Sequence, residues 1–256
     1  GTADECEAAG PGSRCDTFRQ RCTLPYAQRT AHPIVWYFTD ESDLEYFEPS
    51  RWATEEWDVA LRMAVNAAKY SECAALGGSK ESCVAQHPVH FGQQELNEDT
   101  VRLTRDVLDC RAGRAYAGED CDAVADRLGA ARGNAPEVIA IAKMDPMVVL
   151  CHSPVAFDDP AECGDARLPE GVDPAACRDA WEDPEGDLAK ACGEALSVRM
   201  GDLRYHQINV MPNPQTPSPW GIYTDAEDPH TCQTVAASTN VCDHVYNQCS
   251  QKSSAP

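Results

Sequence analysis

Met200–Val235 reads MGDLRYHQINVMPNPQTPSPWGIYTDAEDPHTCQTV, and its punctuation decides the fold. Leu203 to Met211 alternates Leu203, Tyr205 and Gln207 and then carries Ile208 and Val210, an imperfect period of two that reads as a strand. Prolines at 212, 214, 217 and 219 remove backbone donors, so an extended loop has to follow. Trp220–Tyr223 and Thr234–Val241 read as a second strand pair around a turn at Asp225–Thr231. A short helix is expected over Asp243–Gln251, and Ser253–Pro256 frays.

Working outward, Pro33-Ile-Val-Trp-Tyr-Phe38 is a continuous β-branched and aromatic run, the pattern of a strand buried on both faces. The acidic loop TDESDLEYFEPS separates it from a helix. In that helix Trp57, Ala60, Leu61, Ala64, Val65 and Ala68 fall on one apolar stripe, which reads as core packing. Thr54 reads as the N-cap, with Glu55 and Glu56 placed well for the helix dipole. From Ser71 to Ala195 the character changes: eight cysteines occur among Gly and Pro breaks. Helices are expected near Glu98–Asp109 and Asp122–Arg132, with Val101, Leu108, Val124 and Leu128 on their apolar faces. Glu137–Met144 and Met147–Leu150 stay ambiguous between helix and strand.

The chain has 256 residues, 14 cysteines and a formal net charge of −21. No C-x-x-C occurs, and the cysteines are widely spread, as disulfides closing loops require. An oxidising compartment follows, so the protein is expected to be secreted, periplasmic or at the cell surface. The charge disfavours nucleic acid and anionic membrane as partners. It reads as solubility outside the cell, with calcium binding as the sharper alternative. No apolar run is long enough to span a bilayer, and the absence of a signal peptide suggests a processed or trimmed chain.

Candidate chemistry is sparse. Only His87 and His90 are closely paired, and the intervening Pro88 disfavours a helical metal face. Cys151-His152 could form a nucleophilic pair, but a disulfide at Cys151 is the better reading. There is no G-x-S-x-G and no phosphate loop. Asp158-Asp159 to Asp165 and Asp225-Ala-Glu-Asp228 are acidic clusters without calcium-loop spacing, and they read as turns. Arg204 reads as half of a salt bridge to a buried carboxylate.

Ile34–Phe38, Trp57-Asp58, Asp202-Leu203-Arg204-Tyr205, Trp220-Gly221, Asp228-Pro229-His230-Thr231 and Ala237–Val241 together resemble a known order of motifs. It is that of the N-terminal half of zincin-like secreted metalloproteases of myxobacterial type. Cys232 stands where that family has a glycine, and no H-E-x-x-H occurs in the sequence. The resemblance implies a substrate-side sheet in 203–240, whose edge strand takes extended peptide by β-addition. With the zinc helix missing, it transfers no catalytic, cofactor or metal residue.

The expected architecture is α+β: a zincin-like partial core of mixed sheet plus long helix, with a large disulfide-rich, mainly helical insertion. Its parts are a cysteine-rich lead-in at 1–29, a strand–helix core at 30–70, the insertion at 71–197 and a strand-rich segment at 198–256. The expected function is that of a secreted, metalloprotease-like module without its own zinc site, non-catalytic as isolated, with a protein or peptide partner at the 203–240 strands. The alternative is a non-enzymatic binding or structural component of an extracellular or cell-surface assembly.

Overall fold

The computed structural model describes residues 15–16, 21–22, 25–29, 31–89, 98–211, 221–227 and 234–242. The strands among them are β1 (Cys15–Asp16), β2 (Arg21–Cys22), β3 (Ile34–Phe38), β4 (Val148–Cys151), β5 (His206–Met211), β6 (Gly221–Glu227) and β7 (Thr234–Cys242). The helices are α1 (Phe47–Ala75), α2 (Lys80–Gln86), α3 (Glu98–Arg111), α4 (Cys121–Arg132), α5 (Pro136–Lys143), α6 (Ala176–Asp179) and α7 (Asp187–Glu194). The class is α+β, as the sequence implied. The chain divides into two compact units, one of 1–33, 56–107 and 119–147 and one of 34–55, 108–118 and 148–256.

The second unit holds a five-stranded mixed sheet in the order β4-β3-β5-β7-β6. Four strands run parallel, and β6 lies antiparallel to β7 at one edge. β3 lies inside the sheet, between β4 and β5, and its alternation serves two cores at once. Val35 and Tyr37 pack with Val149, Cys151, Val155, Cys163 and Val198 on one face. Trp36 and Phe38 pack with Phe47, Leu150 and Val210 on the other. The expectation of a doubly buried strand holds fully at Tyr37 and Phe38 only; Val35 and Trp36 are half-buried and Ile34 is exposed. β4, ambiguous in sequence, is a strand because Val148–Cys151 pair with Ile34–Tyr37. Segment 71–197 therefore supplies part of the main sheet as well as helices.

Asn209 fixes the register of this sheet. It is fully buried, and its Oδ1 accepts from Thr39 Oγ1 at 2.8 Å. Its Nδ2 donates to Ser238 Oγ at 2.8 Å and Asn240 Oδ1 at 2.9 Å. Ser42 Oγ joins in, 2.9 Å from Thr39 Oγ1 and accepting Val210 N–H at 2.8 Å. The network ties the end of β3 to β5 and β7.

In α1 the structure corrects the phase of the sequence stripe. Beyond Phe47 at its start, the residues it buries are Thr54, Glu55, Asp58, Val59, Arg62 and Asn66, while Trp57 is 68% exposed and Ala64 is exposed. The helical period was right and the register was displaced by one residue, because hydropathy cannot see a buried charge pair. Thr54 does not cap; it lies inside a helix that starts at Phe47, its Oγ1 donating to Ser50 O at 2.8 Å. Pro49 is tolerated because the first turn needs no donor there.

Within the first unit, Asp58 and Arg62 are completely buried, one helical turn apart, with Arg62 Nη2 2.7 Å from Asp58 Oδ2. Arg62 Nη1 also donates to the carbonyls of Ala142 at 3.1 Å and Met144 at 2.6 Å, so a guanidinium caps the C-terminal end of α5. Asp58 Oδ1 accepts Met147 N–H at 2.6 Å. Around them α3, α4 and α5 pack through Leu103, Val107, Ala125 and Ala142. α4 is bounded by Asp120, whose side chain accepts from Asp122 N–H, and by Gly133 in the left-handed region at φ 72°.

Disulfides join Cys73 to Cys83 in the first unit and Cys151 to Cys163 and Cys177 to Cys192 in the second. Cys110 and Cys121 are also disulfide-bonded. No helix among the described residues is long and apolar enough to cross a membrane. Most of the cysteine-rich lead-in, residues 212–220 with their four prolines, the part of the expected Asp225–Thr231 turn beyond Glu227 and the expected helix at Asp243–Gln251 lie outside the described residues.

Removing one partner of a buried ion pair strands the other. Arg62→Ala should therefore cost about 3–5 kcal/mol, read as a lowered urea midpoint of the oxidised protein. Trp57→Ser should stay within about 0.5 kcal/mol. The reverse ranking would restore the apolar stripe as the buried face.

Candidate functional site

Two features of the sheet unit carry chemistry. The first is the sheet edge. Every residue of β6 from Gly221 to Glu227 is exposed, and its pairing with β7 occupies one side of the strand only. No described strand covers its other side. Pairing sets the faces: Ile222, Thr224 and Ala226 stand opposite Asn240, Ser238 and Ala236, while Tyr223 and Asp225 stand opposite Thr239 and Ala237. The register shifts between Ala226 and Glu227, an irregularity that ends regular pairing there. The edge offers unpaired backbone groups, exposed Ile222 and Tyr223, and the carboxylates of Asp225 and Glu227.

The second is a cavity of about 720 Å³ beside the Cys177–Cys192 disulfide, reached by Asp40, Glu41, Ser197, Arg199 and Asp202. Asp40 follows β3, and the 197–200 segment returns against it: Ser197 Oγ donates to Asp40 Oδ2 at 3.3 Å, and Arg199 Nε lies 3.7 Å away. Glu41 accepts Met200 N–H at 3.1 Å. Burial, with the hydrogen bond and charge of Glu41 added, pushes the Asp40 carboxyl up to about 7, against the smaller pull of Ser197 and Arg199. Burial also raises Glu41, but the hydrogen bonds from Asp40 and from backbone N–H groups outweigh it and hold Glu41 low. Near neutral pH the pair is therefore partly protonated, with the proton favoured on Asp40. In sequence both residues belong to an acidic loop that looked solvated; nothing local marks them, because the burying residues lie more than 150 positions away.

The residues singled out from sequence do not converge on one centre. Cys151 is bridged to Cys163, as expected, and supplies no thiolate. His152 stacks on Phe47 at 3.5 Å between ring centroids, and its Nδ1 lies 2.8 Å from Asp159 Oδ1. Asp159 is a buried turn-former rather than a calcium ligand: its Oδ2 accepts the N–H groups of His152 and Ala156, both at 2.9 Å. Arg204 forms the expected salt bridge, though with a half-buried carboxylate. It is 75% exposed and makes a two-point pair with Asp202, two residues away, instead of reaching a buried carboxylate. His87 ends α2, and His90 lies outside the described residues. Asp225 lies in β6, not in the turn assigned to it.

A zincin resemblance implies zinc, and the residues present do not fit it. The sequence has no H-E-x-x-H, and the described residues hold no group of three His, Cys, Asp or Glu able to bind a metal ion. No known protein family, curated protein or solved structure matches the chain.

Asp40 binds its proton more tightly folded than unfolded, so it favours folding at low pH, and that contribution is lost as pH rises from about 4 to about 7. The difference in melting temperature between the native protein and Asp40→Asn should therefore fall over that window and flatten above it. A difference independent of pH would show that Asp40 titrates normally.

Proposed function

We propose that this chain is a secreted, disulfide-stapled, zincin-like module that binds extended peptide without cleaving it, with β6 as the docking strand. The observation that carries the reading is an antiparallel edge strand exposed along its whole length on an otherwise parallel sheet. Support comes from the mixed sheet with a long helix after its first strand, the order the motif resemblance implies. An added strand would take its affinity from main-chain hydrogen bonds and its selectivity from alternate side chains. Asp225 and Glu227, within a chain of net charge −21, favour a peptide carrying Lys or Arg. The lack of H-E-x-x-H in this sequence supports binding without zinc-dependent cleavage.

The same edge serves the second reading, a fixed component of an extracellular assembly. Exposed Ile222, Tyr223 and Val235 favour it, since apolar side chains at a terminal hairpin suit a lasting partner. A stoichiometric partner surviving purification at high salt would select this reading over reversible peptide capture.

The test is calorimetric titration with an extended Lys-containing peptide and two N-methylated versions, offset by one residue. One methylated series should lose binding by about tenfold or more, as loss of strand hydrogen bonds requires, while its offset partner binds normally. Affinity should fall between 50 and 500 mM salt, roughly as rim charges do. Peptide hydrolysis, or equal binding by both methylated series, would contradict the proposal.

A further inference from the structure

The outer side of β6, where no described strand lies, has two faces, and the register of the hairpin decides which side chains stand on each. Successive side chains of a strand point to opposite faces. Tyr223 and Asp225 lie on the face shared with Thr239 and Ala237 of β7. Ile222, Thr224 and Ala226 lie on the face shared with Asn240, Ser238 and Ala236. The first face offers an aromatic ring and a carboxylate two residues apart, the second two apolar side chains flanking a hydroxyl. All of these residues are exposed, Ile222 to 47% and Tyr223 to 57%. β6 is thus charged on one face and uncharged on the other. Glu227 lies past the register shift that follows Ala226, so it adds charge without belonging to either row, and regular pairing covers Gly221–Ala226.

We propose, on the reading of β6 as the docking strand, that this edge selects a segment in which basic and apolar residues alternate. Two Lys or Arg residues separated by one position stand beside Asp225 and Tyr223. The residues between and flanking them are apolar and stand beside Ile222, Thr224 and Ala226. An added strand continues the pleat of the sheet, so its side chains fall into the same two rows. Its basic row meets Asp225 as an opposite-charge cross-strand pair and Tyr223 as a cation over a ring face. Its apolar row removes Ile222 and Ala226 from water. The alternation reads the same in both chain directions, so parallel and antiparallel segments satisfy it alike.

The net charge of −21 favours a basic partner and opposes a second copy of the chain on this edge. Charge alone, however, attracts lysine wherever it stands in a peptide. What the two rows add is phase: a basic residue is favoured at every second position and disfavoured at the positions between, where it would cover apolar surface with a charge.

The test compares three acetylated, amidated peptides of about seven residues: alternating valine and lysine, the same residues as one lysine block and one valine block, and alternating valine and glutamate. Each is titrated into the whole oxidised protein, and amide NMR shifts over Gly221–Glu227 locate the contact. The alternating lysine peptide should bind at β6 about fivefold or more tighter than its block isomer, as several mispaired cross-strand positions require, and the glutamate peptide should bind weakest. Asp225→Lys should invert the order of the lysine and glutamate peptides. Ile222→Glu should close the gap between the two lysine peptides, because both faces then accept lysine. Both side chains are exposed, so neither variant disturbs the core. Equal binding of the two lysine peptides at β6, or an unchanged order in Asp225→Lys, would overturn the alternation while leaving β6 as a docking strand. Absence of shifts at β6 with every peptide would overturn the docking reading itself, and the alternation with it. A dimer seen in sedimentation, with β6 shifts that follow protein concentration, would assign the edge to a second copy and overturn the proposal.

Discussion

The sheet depends on one buried amide. Asn209 is enclosed at the junction of three strands, and a carboxamide left unpaired there would cost about 1–3 kcal/mol. It is paired on both sides, to Thr39 beyond β3 and to Ser238 and Asn240 on β7. A slip of one residue would turn Asn209 toward the opposite face and expose apolar positions together with it. These strands are brought together from 34–38, 206–211 and 234–242, and the apolar faces and the amide favour the same register. Because β7 is held in that register, β6 is carried at the rim, with no described strand on its outer side.

Two acid sites, the fully buried Asp58 and the half-buried Asp40, meet the loss of solvent differently. Asp58 is neutralised by Arg62 one turn later, and Arg62 also caps the carbonyls that end α5. That arrangement is closed: each charge has a fixed partner, and its role is structural. Asp40 faces Glu41, a like charge, with Arg199 at 3.7 Å and largely in solvent. It is neutralised by a proton instead of a partner. A proton is exchangeable where a guanidinium is not, so the second site responds to pH while the first is fixed.

Sequence legibility follows the same division. β3 and β5 were readable because β-branched and aromatic runs announce themselves locally, and α3 and α4 because their apolar faces recur at helical spacing. The four residues of β4 could not be assigned locally, since a short apolar run becomes a parallel strand only through pairing with a segment more than 100 positions away. The phase of α1 was misread because its buried face includes Asp58, Arg62 and Asn66, which any hydropathy scale assigns to solvent. Asp40 and Glu41 were invisible for a related reason: their environment is made by Ser197, Arg199 and Met200. The exposed hairpin was partly legible, yet its role as an edge emerges only from strand order.

The central claim is that β6 presents an open, peptide-competent edge. Residue-resolved hydrogen exchange over Gly221–Glu227, with and without a Lys-containing extended peptide, tests it most directly. In the free protein, alternate amides should be protected by β7 while the intervening ones exchange near solvent rates, and peptide should protect the latter selectively. Uniform protection before any peptide is added would mean that the edge is already covered, and unchanged exchange at saturating peptide would place binding elsewhere; either result contradicts the account.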